Sequence, residues 1–160
     1  MEYTMRKLSA AAVGAALVGI SLAGPVPSAS AAAAATCADN YDNALAGYMY
    51  AYDGTYCEGQ LGLAVGNDQN WGDSASSFQG SDNNRASSIL NMGRYSQVKF
   101  FANPTTGTTF NPHICLTRAE GYASNLSDDY FMNDPIFGTA NNSISAHIWV
   151  ELTSCSALAK

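Results

Sequence analysis

The chain has 160 residues, 7 Lys and Arg against 13 Asp and Glu, a formal net charge of −6 and 47% hydrophobic residues. That acidic balance argues against a nucleic-acid footprint, which needs clustered cations, and against anionic membrane surfaces. It leaves cationic, neutral or metal-ion partners.

In chain order, the first segment reads as an address. Arg6 and Lys7 precede an uncharged stretch from Leu8 to Ala23, and Ala29-Ser30-Ala31 gives the small-x-small pattern of a signal-peptidase site. Residues 1–31 are therefore expected to be a signal peptide, with the cut falling somewhere between 29 and 36. The apolar stretch is short and alanine-rich, so a secreted, extracellular product is expected and membrane insertion is not. Removing Glu2, Arg6 and Lys7 leaves 5 basic residues against 12 acidic ones in the remainder, a net charge of −7.

Residues 37–160 have the size of one domain, expected to be monomeric. Its first part, 37–58, is an extension of unclear role, in which "CADNYDNALAG" allows a short helix or loop with Asp39 or Asn40 capping one turn. Apolar groups then come in short runs between turn residues: "GYMYAY", "LGLAV", "QVKFFA", "HICLT" and "SAHIWVEL". None sustains a helical stripe, and the spacing predicts an all-β antiparallel sandwich. All four cysteines, Cys37, Cys57, Cys115 and Cys155, lie in the exported part, which predicts two disulfides. Connectivity stays open, although the usual closeness of domain termini favours Cys37 with Cys155 and Cys57 with Cys115.

Asn83-Asn84-x-x-Ser87-Ser88 is nearly repeated 58 positions later as Asn141-Asn142-x-x-Ser145-Ala146. By spacing alone these are two turns that satisfy their own backbone, or two corners that together offer oxygens to a cation. "DNNRASSIL" and "ANNSISAHIWV" resemble the calcium motif of the βγ-crystallin superfamily, which occurs once per Greek key. "VKFFANPTTGT" resembles the strand and hairpin after the first motif, and "CLTRAEGYASNL" the strand pair before the second. With its leader and cysteines, the chain resembles the secreted actinobacterial branch, which includes metalloproteinase inhibitors and killer-toxin-like proteins.

The resemblance implies a βγ-crystallin-like antiparallel Greek-key sandwich. It also implies calcium ligation by Asn83, Asn84, Arg85 (through its carbonyl) and Ser87 in one half, and by Asn141, Asn142, Ser143 (carbonyl) and Ser145 in the other. Ser88 is expected to pin a hairpin, and Ala146 loses that hydroxyl. A second departure stands at Trp71-Gly72-Asp73, where an aromatic-x-Gly corner is expected and Asp73 replaces the glycine. Since all four paired residues are amides, calcium is expected to bind weakly, at roughly 0.1 to 1 mM.

No catalytic constellation assembles. Gly72-Asp73-Ser74 lacks the following glycines of a serine-protease oxyanion hole, and no zinc, phosphate-loop or nucleophile-elbow motif occurs. The chain is thus expected to be no enzyme and to hold no organic cofactor. The resemblance implies a peptidase inhibitor directed at an extracellular protease, a metalloproteinase above all. Its reactive loop would be Thr105, Thr106, Gly107, Thr108, Thr109 and Phe110, with "DDYFMNDPIF" as a second candidate. A calcium-stabilised killer-toxin-like protein and a noncatalytic adaptor are the alternatives.

Overall fold

The computed structural model describes residues 37–105, 111–133, 135–151, 155 and 157–160. The expected signal peptide lies outside these residues, as do Thr106, Gly107, Thr108, Thr109 and Phe110 of the expected inhibitory loop.

Among the described residues, seven strands form two antiparallel sheets. The strands are β1 (Met49–Tyr52), β2 (Gln60–Ala64), β3 (Ser88–Asn91), β4 (Gln97–Phe101), β5 (His113–Leu116), β6 (Tyr122–Ala123) and β7 (Ala146–Val150). The first sheet has the order β2-β1-β3-β6 and the second β5-β4-β7. Each half of the chain therefore makes a hairpin, β1–β2 or β4–β5, and returns a third strand to the open side of the first, β3 beside β1 and β7 beside β4.

The halves then exchange a short strand. β6, from the second half, pairs with β3, while Asp68, from the first half, bridges His147 in β7. This is the all-β, βγ-crystallin-like Greek-key sandwich that the paired motifs imply.

Period-two alternation explains the layering. Met49, Ala51 and Ile89 of the first sheet face Val98, Phe100, Ile114 and Leu116 of the second, and Trp71, Phe78 and Phe131 fill the space between. The opposite face of the first sheet carries Tyr50, Tyr52 and Leu90, which would be wet in a bare sandwich. It is covered instead by residues 37–44, helical over 37–43, with Tyr41 and Ala44 packed on that cluster. Asp39 and Asn40 lie inside this helix and not ahead of it as caps. The leading segment thus converts a one-sided sheet into one buried on both faces.

The disulfides join Cys37 to Cys57 and Cys115 to Cys155, with Cα–Cα distances of 5.0 and 6.0 Å. This overturns the pairing favoured from the closeness of termini. The physical reason is that the two ends belong to different sheets. The leading helix sits on the outer face of the first sheet, whereas the last residues run along β5, where Cys115 N–H donates to Ala157 and Ala159 N–H donates back to Cys115. Among the described residues no helix is long and apolar enough to cross a membrane.

Candidate functional site

Each Asn-Asn corner is the entry into a returning strand, β3 or β7. Asn84 and Asn142 adopt left-handed backbone, with φ of 58° and 52°, a region that asparagine tolerates better than most residues. That turn carries the chain across the end of the opposite half. Asn84 N–H donates to the Ile144 carbonyl at 2.9 Å, and Asn142 N–H donates to Ala86 at 2.8 Å. The serines are tied back to their own first strands, Ser87 N–H to Tyr52 and Ser145 N–H to Phe101, each at 2.8 Å.

The corners therefore meet reciprocally. Ser87 Oγ donates to Asn142 Oδ1 at 3.1 Å, and Ser145 Oγ donates to Asn84 Oδ1 at 3.0 Å. Both serines are buried at 7% and 3% exposure, while Asn84 and Asn142 are exposed. Each hydroxyl–amide pair stands with one side toward solvent and a rigid wall behind. Asn83 Oδ1 and Asn141 Oδ1 are buried without a hydrogen-bond partner, an arrangement that ordinarily costs about 1–3 kcal/mol per group. That the same position is orphaned in both halves marks it as a property of the motif and not of one loop.

Of the sequence-predicted residues, the structure brings Asn84, Ser87, Asn142 and Ser145 into direct contact. Asn83 and Asn141 stand beside them. Arg85 turns its side chain away, its guanidinium paired with both carboxylate oxygens of Asp53. Ser143 Oγ donates to the Asn141 carbonyl at 3.0 Å. Among the described residues, no backbone hydrogen bond outside the helices and strands uses the Arg85 or Ser143 carbonyl.

The donor set fits calcium. Two oxygens about 3 Å apart can share one ion at the roughly 2.3–2.6 Å distances calcium prefers, and the ion accepts amide, hydroxyl, carbonyl and water oxygens together. No cluster of three or more His, Cys, Asp or Glu able to hold a metal exists among the described residues, and the oxygens at the corners are those of amides, hydroxyls and carbonyls.

One device near the site lies elsewhere than the sequence expectation placed it. The aromatic-x-Gly corner is not at Trp71-Gly72-Asp73 but at Phe78-Gln79-Gly80. Phe78 stacks on Trp71 with ring centroids 4.0 Å apart, and Gly80 takes a φ of +50°. The signal was present as "FQG", seven residues beyond the tryptophan. Its counterpart in the second half is Gly138, at φ +74° and again 58 positions on.

Ser88 pins the first hairpin as expected, accepting from Cys57 N–H at 2.9 Å and donating to the Gly54 carbonyl at 2.7 Å. The second hairpin, expected to be held less firmly because Ala146 lacks the hydroxyl, includes 106–110, which lie outside the described residues.

His147, unassigned by the sequence, lies at the centre of this wall. Its Nδ1 accepts from Trp71 Nε1–H at 2.9 Å and its Nε2 stands 2.9 Å from the Gly66 carbonyl, which selects the neutral Nε2–H tautomer. Burial pushes its pKa down to about 4.

No protein-family model and no curated protein matches the sequence. Among solved structures, a chain described as "Evolution of the eye lens beta-gamma-crystallin domain fold" is similar at 16% identity with a TM-score of 0.47. The match covers 68% of this chain and 90% of that one. A likeness of that extent adds nothing to what the paired corners themselves display.

Proposed function

We propose that this is an exported, noncatalytic domain whose paired corners take up calcium weakly and whose frame presents an inhibitory loop to an extracellular peptidase. The observation that supports the calcium reading is the reciprocal contact of Ser87 with Asn142 and Ser145 with Asn84 across the two halves. Asn84, Asn142, Ser87 and Ser145 would hold the ion by side-chain oxygens, and Arg85 and Ser143 by their carbonyls. Each serine would turn its proton away from the facing amide to free a lone pair. Bound calcium would supply a charge that holds the two halves together at their open end.

The affinity should be low because no carboxylate joins the set; Asp82 accepts from Gln79 N–H and Asp53 is committed to Arg85. With a Kd of roughly 0.1–1 mM, about 10 mM calcium stabilises by roughly 1.5–3 kcal/mol. Thermal melts in calcium and in EDTA test this. A calcium-dependent rise that disappears in Ser87→Ala and Ser145→Ala supports the reading, and a rise that survives both removes these hydroxyls from it.

The inhibitor reading draws on the resemblance and on one structural feature. The base of the Thr105 loop is tied before it leaves the frame: Thr105 N–H donates to Gln69 at 2.9 Å, and Asn111 Nδ2 donates to the Asn103 carbonyl at 2.8 Å. Cys115–Cys155 lies four residues beyond Asn111. Fixing the two ends of a loop removes part of the ordering entropy that binding would otherwise cost. Titrating the purified protein against a thermolysin-like protease tests it: stoichiometric loss of proteolysis is the expected result, and undiminished proteolysis at molar excess removes the inhibitor reading.

A further inference from the structure

At the end of β7 remote from Ser145, a cleft of about 540 Å³ opens between the two halves of the chain, within the range of roughly 300–1,000 Å³ typical of small-molecule sites. Trp149 forms one wall and is held from three directions. Its Nε1–H donates to the Gly66 carbonyl at 3.1 Å, and its backbone N–H donates to Asn67 Oδ1 at 2.8 Å. Its ring lies so close to Gly93 that a Cβ there would stand 2.3 Å from the indole. A partly buried tryptophan fixed in this manner has already lost the freedom that ligand binding would otherwise remove. Tyr95, 85% exposed, also lines the cleft, together with Arg94, Ser96 and Asn67. Arg94 forms no ion pair with a described residue; the one ion pair among them is Arg85 with Asp53.

We infer that this cleft binds a β-1,4-linked pyranose chain, its flat C–H faces against Trp149 and Tyr95 and its hydroxyls bonded to Arg94, Asn67 and Ser96. Pyranose C–H groups carry slight positive charge and suit the negative face of an aromatic ring, while amide, hydroxyl and guanidinium groups match a ring of hydroxyls. A nucleotide fits less well, because its phosphates would meet one cation on an acidic domain. A peptide added as a strand fits less well too, because this edge of β7 is occupied by Asn67 and Asp68.

The chain's two tryptophans make the test direct, since Trp71 is fully buried under Phe78 and an emission change reports Trp149. Cellohexaose and chitohexaose are titrated separately into the oxidised protein in EDTA, which keeps the result independent of the calcium corners, with adenosine monophosphate in parallel. A saturable change with at least one oligosaccharide is expected. Tyr95→Ala and Arg94→Ala, both at exposed positions, should each weaken it by about tenfold with unchanged melting temperature. The inference is overturned if neither sugar gives a saturable change up to about 10 mM, if the response survives Tyr95→Ala at full strength, or if only adenosine monophosphate saturates the signal.

Discussion

Asn84 and Asn142 each do two things, and substitution can separate them. Their left-handed backbone turns the chain across the other half, and their amide oxygens face the serines. Glycine keeps the turn and deletes the oxygen; alanine deletes the oxygen and adds about 1–2 kcal/mol of backbone strain. Asn84→Gly and Asn142→Gly should therefore leave the EDTA melting temperature close to that of the parent while abolishing the calcium-dependent rise. Asn84→Ala should lower the EDTA melting temperature as well.

Two buried titratable groups oppose each other in acid. His147 has its pKa lowered from 6.5 to about 4 by burial, against a smaller upward push from the Gly66 carbonyl. Its contribution is present above about 6.5 and is lost as pH falls toward about 4. Asp129, 4% exposed and with Oδ2 unpartnered, has its pKa raised from 3.8 to about 6. Burial is the main cause; the Lys160 N–H bonded to Oδ1 and the Lys160 charge work against it, while Asp128 and Glu120 add to it. Its contribution is present below about 3.8 and is lost as pH rises through about 6. Between pH 6 and 4 the two slopes cancel in part. Urea unfolding of Asp129→Asn should fall more steeply over that interval than the parent, and parallel curves would show that Asp129 does not titrate there.

At the level of elements, the leading helix depends on its disulfide. The helical residues 37–43 lean on tertiary contacts. They are held over Tyr50 and Tyr52 by packing and by Cys37–Cys57, with Asn40 Nδ2 donating to the Cys57 carbonyl at 2.9 Å. Their anchor is itself strained, since Tyr56 and Cys57 both take a φ of 61°. Closing the 20-residue loop contributes about 3 kcal/mol by chain entropy. The double variant Cys37→Ala, Cys57→Ala should lose about that much stability. Hydrogen exchange should show the loss of protection over 37–44 with β4, β5 and β7 still protected; equal loss in both sheets would contradict this picture.

Strands β1, β2, β4, β5 and β7 were legible as short apolar runs between turn residues. β3 and β6 were not legible as apolar runs, and β6 was expected only through the resemblance of "CLTRAEGYASNL" to a strand pair. "SILN" has two apolar residues and "YA" is two residues long, so neither carries a period, and each is a strand only because a neighbour pairs with it.

Across the whole molecule, exchange of β6 and the Asp68 segment means that neither half completes its sheet alone. Trp71 from the first half is held by Ser145 and His147 of the second, its N–H donating to the Ser145 carbonyl at 2.8 Å. The halves should unfold as one unit. Trp71→Phe and Trp149→Phe leave one fluorophore each, Trp149 in the second half and Trp71 in the first; the urea transition each variant reports by fluorescence should coincide with its own transition by far-ultraviolet circular dichroism. A fluorescence transition displaced from the circular dichroism curve in either variant would show halves that fold independently.

The sequence by itself determined the quantities that are local: the short strand period, the turn residues, the excess of acid, and the repeated Asn-Asn-x-x-Ser whose side chains carry the candidate ligand oxygens. The serine that pins the first hairpin was placed by the resemblance and not by local pattern, since the partners of Ser88, Gly54 and Cys57, lie 34 and 31 residues away. The tertiary structure alone decided the disulfide partners, the burial of His147 and Asp129, and the cleft beside Trp149. Each of these is a meeting between residues far apart in the chain, and which residues meet depends on how two sheets exchange strands, a choice that no window of sequence contains.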